Sequence, residues 1–334
     1  MYGILVVDKP IGPTSRDCVN QATAVLRQAN DRSTKIAHAG TLDPLASGAI
    51  ILLLGPAVRL MDQVHAFDKE YIGSFQVGCS SPSADLETEV VSLPNANRFS
   101  KEDLQATLNQ FLGPIEQIPP AYSAIRVNGK RAHKQARKGL EVQMPKRTVI
   151  IHELELVEWT PESFTVRTVC STGTYMRTLG SDIAKALGSD AVMSSLRRTR
   201  VGPFSLDHAI PLAHLPNTPW GPCVLSPALA VSHLPKLFVN DLILRKILDG
   251  KRLPWQNLIE HQTTPLNTFR PQLQPNSYQP ISTNPTANPP VNSPVAILDD
   301  QWVLRAILTE IAPDQWRCEK GIAHWDVLPK APEL

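Results

Sequence analysis

Six apolar residues run without a break from Ala49 to Leu54, with Gly48 before them and Gly55 after. A run of this length between glycines reads as a buried strand, and it is far below the roughly 18 residues of a membrane span. The polar loop that leads into it is therefore anchored on the core. Around this strand, 334 residues of which 42% are hydrophobic and 19% charged suffice for a large domain and a small one, each with a buried core. A disordered chain and a disulfide-stapled miniprotein are excluded. The N-terminus lacks the charged-then-apolar shape of a signal peptide, so a soluble cytoplasmic protein with no membrane partner is expected. Cys18, Cys79, Cys170, Cys223 and Cys318 form no CxxC pair and have no His at zinc-knuckle spacing, so they read as structural thiols.

Periodicity and punctuation predict a mixed α+β order without Rossmann repeats. Gly3 to Val7 and Tyr71 to Val77 read as strands, and Ser15 to Gln28 as a helix with Val19, Ala22 and Leu26 on its buried stripe. Ser100-x-x-Asp103 opens a helix whose face is Leu104, Leu108 and Phe111. Thr148 to Trp159 and Ser163 to Val169 read as paired strands. Gly173 then introduces a helix lined by Met176, Leu179, Ile183 and Leu187 and stopped by Gly188. The composition changes after Leu234. Segment 262–294 holds eight prolines and a single charge, Arg270, and is expected to be a disordered insertion. Val295 to Leu298 and Val303 to Leu308 are expected to pair with Leu237 to Val239 and with the segment Ile243 to Leu248. The resulting division is a large domain over 1–235 and a small β-rich domain over 236–334.

Asp43 has the most unusual local context, with Gly40 before it, Pro44 after it and the small residues Ala46, Ser47 and Gly48 leading into the strand. Such a backbone can present one carboxylate to a large planar substrate, although an isolated Asp-Pro also reads as a turn bonding to itself. His38, in the same loop, is a polar contact or a base. Arg177 lies one step from Met176, at the edge of the apolar stripe, where it either pairs with a buried carboxylate or stays solvated. Tyr71 reads equally as a base-stacking platform or a core tyrosine.

The net charge is only +2, so charge distribution must decide whether a polyanion is bound. Arg126, Lys130, Arg131, Lys134, Arg137, Lys138, Lys146 and Arg147 face the single acid Glu141, and the spacing of Lys130, Lys134, Arg137 and Lys138 predicts a helical basic ridge. A solvated face is the ordinary reading of a charge run; eight cations to one anion favour a nucleic-acid backbone. Leu196 to Arg200 reads as a second basic patch. No P-loop, dinucleotide fingerprint or metal-ligand cluster is present, so chemistry without cofactor or metal is expected.

Six motifs in order resemble the TruB-type tRNA pseudouridine synthases: Gly3 to Pro10, His38 to Gly48, Asp68 to Tyr71, Gln117 to Ala124, Gly173 to Leu179 and Leu196 to Arg198. The resemblance implies a catalytic domain with a mixed, largely antiparallel sheet flanked by helices, plus a small PUA-like RNA-binding domain. It further implies isomerisation of uridine 55 in the T loop of tRNA, with no cofactor; an RNA-gripping enzyme of this size needs no second subunit, so a monomer is expected. By matching position, Asp43 is the catalytic carboxylate, as nucleophile or as base on the sugar. Tyr71 would stack on the flipped uracil, Arg177 would pair with Asp43, and His38 would fill the gap in the loop. Asp85 would contact the nucleotide, while Lys9, Tyr175 and Leu196 would line the pocket. Ala37, Ala39 and Glu70 stand where relatives commonly carry Gly, Thr and Arg. Three competing readings are a tRNA-folding chaperone with incidental catalysis, a glycosidase using Asp43 with Asp85, and a related isomerase acting on other RNAs.

Overall fold

A computed structural model describes residues 1–260 except 124, 128, 137 and 141, together with 294–299, 303–312 and 315–322. The expected insertion 262–294 lies outside the described residues but for its last, Pro294.

Strand Ala46–Leu54 organises the larger sheet. Strand Gly3–Lys9 runs antiparallel along one edge of it, from Gly3 opposite Leu54 to Lys9 opposite Gly48. Two strands share the other edge: Ile36–Ala39 lies antiparallel beside Ile51 to Leu54, and Ala191–Val201 lies parallel, with Leu196 to Arg198 opposite Ala46 to Gly48. The order continues through Lys69–Val77, Ser163–Cys170, Arg147–Thr160 and Gly113–Gln117, with Ala209–Pro211 at the far side of Gly3–Lys9. Only the pairings of Ala209–Pro211 with Gly3–Lys9 and of Ala191–Val201 with Ala46–Leu54 are parallel, so this is the expected mixed, largely antiparallel sheet.

The unbroken apolar run follows from covering both faces, because side chains alternate along a strand. Ile50, Leu52 and Leu54 pack with Leu5, Val7 and the stripe Cys18, Val19, Ala22 and Leu26 of helix Ser15–Gln28. Ile51 and Leu53 point the other way, into a cluster with Ile4, Val6, Leu60 and Val64. A third cluster joins the stacked rings of Phe75 and Phe164 to helices Lys101–Leu108 and Met176–Ala186.

The second sheet has the order Lys236–Phe238, Val295–Leu298, Leu304–Ala312, Gln315–Gly321. One face builds its own cluster through Val295 and Ile297; the other, through Ala296 and Leu298, joins the cluster of Ile4 and Val6. One expectation fails here. Ile243 to Leu248 is not a strand but part of helix Asp241–Leu248, capped by the Asn240 side chain, which accepts from the Ile243 N–H at 3.1 Å. Burying Ile243, Leu244 and Ile247 on one helical face contributes roughly 5 kcal/mol or more, which outweighs any β preference of isoleucine worth a few tenths of a kcal/mol. Strand Gln315–Gly321 takes the place in the sheet. No described helix is long and apolar enough to cross a membrane.

Candidate active site

The loop from Gly40 to Leu45 bridges Ile36–Ala39 and Ala46–Leu54, and hydrogen bonds hold it at Gly40, Leu42, Asp43 and Pro44. The Gly40 N–H donates to His65 Nε2 at 3.0 Å, and its carbonyl accepts from Arg198 Nη2 at 2.9 Å. The Ser15 hydroxyl accepts from the Leu42 N–H at 2.8 Å and donates to the Leu42 carbonyl at 3.0 Å. The Asp43 carbonyl takes the Ala46 N–H at 3.0 Å, and that of Pro44 takes the Gly12 N–H at 2.8 Å. Two glycines make the turn possible. Gly40 has φ +87°, and at Gly48, with φ +108°, an added Cβ would lie 2.1 Å from the Arg198 carbonyl oxygen on the neighbouring strand.

This frame leaves the Asp43 side chain 55% exposed, with Oδ2 3.4 Å from Arg177 Nη2. Arg177, whose side chain is 6% exposed, is anchored elsewhere. Its Nη1 lies 3.0 Å from Asp85 Oδ2 and donates to the Ser83 carbonyl at 3.1 Å, while Nη2 also donates to the Tyr122 carbonyl at 3.0 Å. Charge-assisted bonds of this kind contribute about 1.5–3 kcal/mol each, whereas an ion pair to a half-exposed carboxylate contributes about 1 kcal/mol or less. Arg177 is thus fixed without Asp43, and the Asp43 carboxylate rests lightly on a cation that is already in place.

Asp85, expected as a nucleotide contact, is enclosed by protein groups. Its side chain is 3% exposed, one oxygen is on Arg177, and the other accepts the Glu87 N–H at 2.9 Å. Lys9, expected to line the pocket, is buried, and its ammonium donates to the carbonyls of Pro10 and Pro13 at 2.8 and 2.9 Å. Burial lowers its pKa, with the nearby Asp43 and Cys18 working against that shift.

Tyr71 and Leu196 each pack against two core clusters at the seam between them. Burial raises the pKa of the Tyr71 phenol, against the pull of Arg198. Tyr175 stands immediately before helix Met176–Ala186 without capping it by its side chain; its N–H donates to Gln117 Oε1 at 3.0 Å, and Arg147 lies over its ring at 5.6 Å. His38 is half-buried, and its Nδ1 lacks a partner among the described residues. Burial lowers its pKa, helped by Arg198, His65 and Arg16.

The basic features are rearranged. Lys130–Arg131 is a short strand paired with Arg126–Val127, and the helix that follows covers only Ala132–Ala136, so no continuous ridge forms. The Asn128-Gly129 pair is a hairpin signal that outweighs the helical spacing. Lys134 and Lys138 are exposed, Lys146 pairs with Glu116 at 3.2 Å, and Arg137 lies outside the described residues. The second patch is spent on the fold: Arg197 pairs with Asp8 at 2.7 Å, Arg200 pairs with Glu70 at 3.2 Å, and Arg198 is buried, with Nε donating to the Ala49 carbonyl at 2.8 Å. Glu70 also binds Arg167 at 2.7 Å.

Sequence reasoning missed Ser15 and His65 as holders of the loop and misread Arg198. Only Ser15 carried a signal, as the first residue after the capping Thr14.

The family described as TruB family pseudouridylate synthase (N terminal domain) matches residues 27–176, and the tRNA pseudouridylate synthase B C-terminal domain matches residues 177–221. The tRNA pseudouridine synthase B of Rhodopirellula baltica is 44% identical over 214 residues, which are 64% of this chain and 62% of that one. The protein of the same name from Parabacteroides distasonis is 44% identical over 205 residues, 61% of this chain and 87% of that one. Among solved structures, a chain of an H/ACA ribonucleoprotein bound to a substrate RNA containing 2'-deoxyuridine superposes with a TM-score of 0.69 at 22% identity, over 98% of this chain and 87% of that one. A chain of an archaeal box H/ACA complex gives 0.68 at 21% identity, over 99% and 89%. These two show a shared fold. The sequence matches place the chain among pseudouridylate synthases. Within that class it belongs to the TruB family.

Proposed function

We propose that this chain isomerises uridine to pseudouridine at position 55 of the T loop of tRNA, with Asp43 as the reacting carboxylate. The observation that carries the reading is the half-exposed Asp43 carboxylate on a loop pinned from several sides, with Arg177 fixed 3.4 Å behind it. In a reaction that breaks the N-glycosidic bond, turns the base and joins its C5 to the same ribose, one positioned carboxylate acts as nucleophile or as base on the sugar. The uridine must leave the stacked loop first, at a cost of a few kcal/mol, and the Tyr71 ring at the seam of the two clusters is the surface on which the flipped uracil would stack. An RNA-gripping enzyme of this size needs no second subunit, and we take it to act as a monomer. The tRNA pseudouridine synthase B proteins to which the chain is similar support the same substrate.

The test is an unmodified T-arm stem-loop carrying 5-tritiated uridine. Bond formation at C5 releases tritium to water with no loss of base, whereas a glycosidase frees uracil. Asp43→Asn should abolish release while tRNA binding survives, and substantial turnover by that variant would reject the assignment. A protein that only binds or refolds tRNA leaves the tritium in place.

A further inference from the structure

We propose that neutral His65 is a positioning residue for the isomerisation, a latch whose bare Nε2 holds the Gly40 N–H and so sets the backbone that carries Asp43. This rests on the reading of Asp43 as the reacting carboxylate. Among the described residues, Gly40 is the one position of the loop whose backbone is gripped by side chains of two other elements at once. His65, near the end of helix Met61–Ala66, takes its N–H at 3.0 Å, and Arg198, from strand Ala191–Val201, gives to its carbonyl at 2.9 Å. The peptide planes on both sides of Gly40 are therefore fixed, three residues before Asp43.

An acceptor at Nε2 requires the tautomer with the proton on Nδ1. Protonation would set an N–H against the Gly40 N–H, and the bond would be lost. The surroundings oppose that proton. Lys69 donates its ammonium to the His65 carbonyl at 2.6 Å, Arg198 faces the ring from the neighbouring strand, and His38 lies nearby on strand Ile36–Ala39. The opposing charge, Asp62 on the same helix, is tied to Lys320 at 2.8 Å. Burial first, then Lys69 and Arg198, push the imidazole pKa below its ordinary value. The latch is closed at neutral pH and opens in acid.

The experiment compares wild type with His65→Leu, which has no acceptor, and His65→Gln, whose amide oxygen accepts but does not titrate. Tritium release is followed from pH 5 to 8, and the Gly40 amide resonance is followed by NMR in parallel. A lost neutral hydrogen bond to a backbone donor predicts that His65→Leu lowers kcat roughly tenfold with KM within about twofold. His65→Gln should restore kcat relative to His65→Leu and flatten the acid limb of the profile. The Gly40 amide should titrate in wild type and in Asp43→Asn, but not in His65→Gln. Wild-type kcat in His65→Leu, or an acid limb unchanged in His65→Gln, would overturn the proposal. Full turnover by Asp43→Asn together with a titrating Gly40 amide would overturn the catalytic reading and leave the latch standing.

Discussion

Arg177 lies closer to Asp85 than to Asp43, 3.0 Å against 3.4 Å, and the nearer carboxylate is the one sealed from solvent. The two acids therefore differ in kind: one fixes the guanidinium, and the other keeps half its surface free, as the proposed reaction at Asp43 requires. Breaking a buried pair costs about 3–5 kcal/mol when one charge is stranded, but the carbonyls of Ser83 and Tyr122 remain on Arg177 and an asparagine still accepts. Asp85→Asn should thus lose about 1–3 kcal/mol in urea unfolding and reduce kcat as Arg177 loosens. Asp43→Asn should stay within about 1 kcal/mol of wild type. Equal destabilisation by the two would contradict this division.

Gly48 lies opposite Arg198 where two parallel strands meet, and there is no room there for a methyl group. Gly48→Ala combines a positive φ with a contact of 2.1 Å to backbone, so it should cost about 2 kcal/mol or more and weaken activity through the Asp43 loop. Gly12, with φ +111° and nothing within 4 Å of an added Cβ, isolates the strain alone. Gly12→Ala should cost about 1 kcal/mol. Thermal unfolding of the pair separates the two effects.

Legibility in the sequence followed locality. Helix Ser15–Gln28 is read because Val19, Ala22 and Leu26 repeat at helical spacing, and the structure adds a capping box of Thr14 with Asp17, an interaction within one turn. The central strand is read because an unbroken apolar run has few other uses. Ile243 to Leu248 defeats the reading, since a short apolar run does not reveal its period and the deciding burial is tertiary. Arg198 reads as part of a basic patch because a strand pattern does not say which face meets the core. His65 left no trace at all, as its partner Gly40 is 25 residues away and only the fold joins them.

Stability should fall as the solution is acidified from pH 7 towards 5.5. The pKa values of His38, His65 and His233 are all pushed below the ordinary 6.5, chiefly by burial. The unfolded chain therefore takes up protons first as pH drops, and the unfolded state gains. The full contribution is present above 6.5 and is lost as pH falls towards the folded values. Asp17, Asp62 and Asp103 have lowered pKa values and add their own losses only below about pH 4. Asp182, raised by burial, acts in the opposite sense nearer the carboxyl range. Urea midpoints across this window should fall in wild type and fall less in His233→Gln. A flat profile would contradict the burial of these rings.

Lys134, Lys138 and Lys146 are the exposed basic side chains of this segment among the described residues; Lys146 pairs with Glu116, and Lys134 and Lys138 have no ion-pair partner among the described residues. If they meet the tRNA backbone, each phosphate neutralised adds about 0.9 to the slope of log K against log salt on a duplex. Lys134→Ala with Lys138→Ala should weaken T-arm binding at low salt and flatten that slope by about 1–2, with kcat at saturating RNA unchanged. Arg197 is a different case, because Asp8 at 2.7 Å already neutralises it. Arg197→Ala should leave the salt slope near wild type. Filter binding at several ionic strengths gives the slopes, and an unchanged slope in the double variant would remove this segment from the RNA interface.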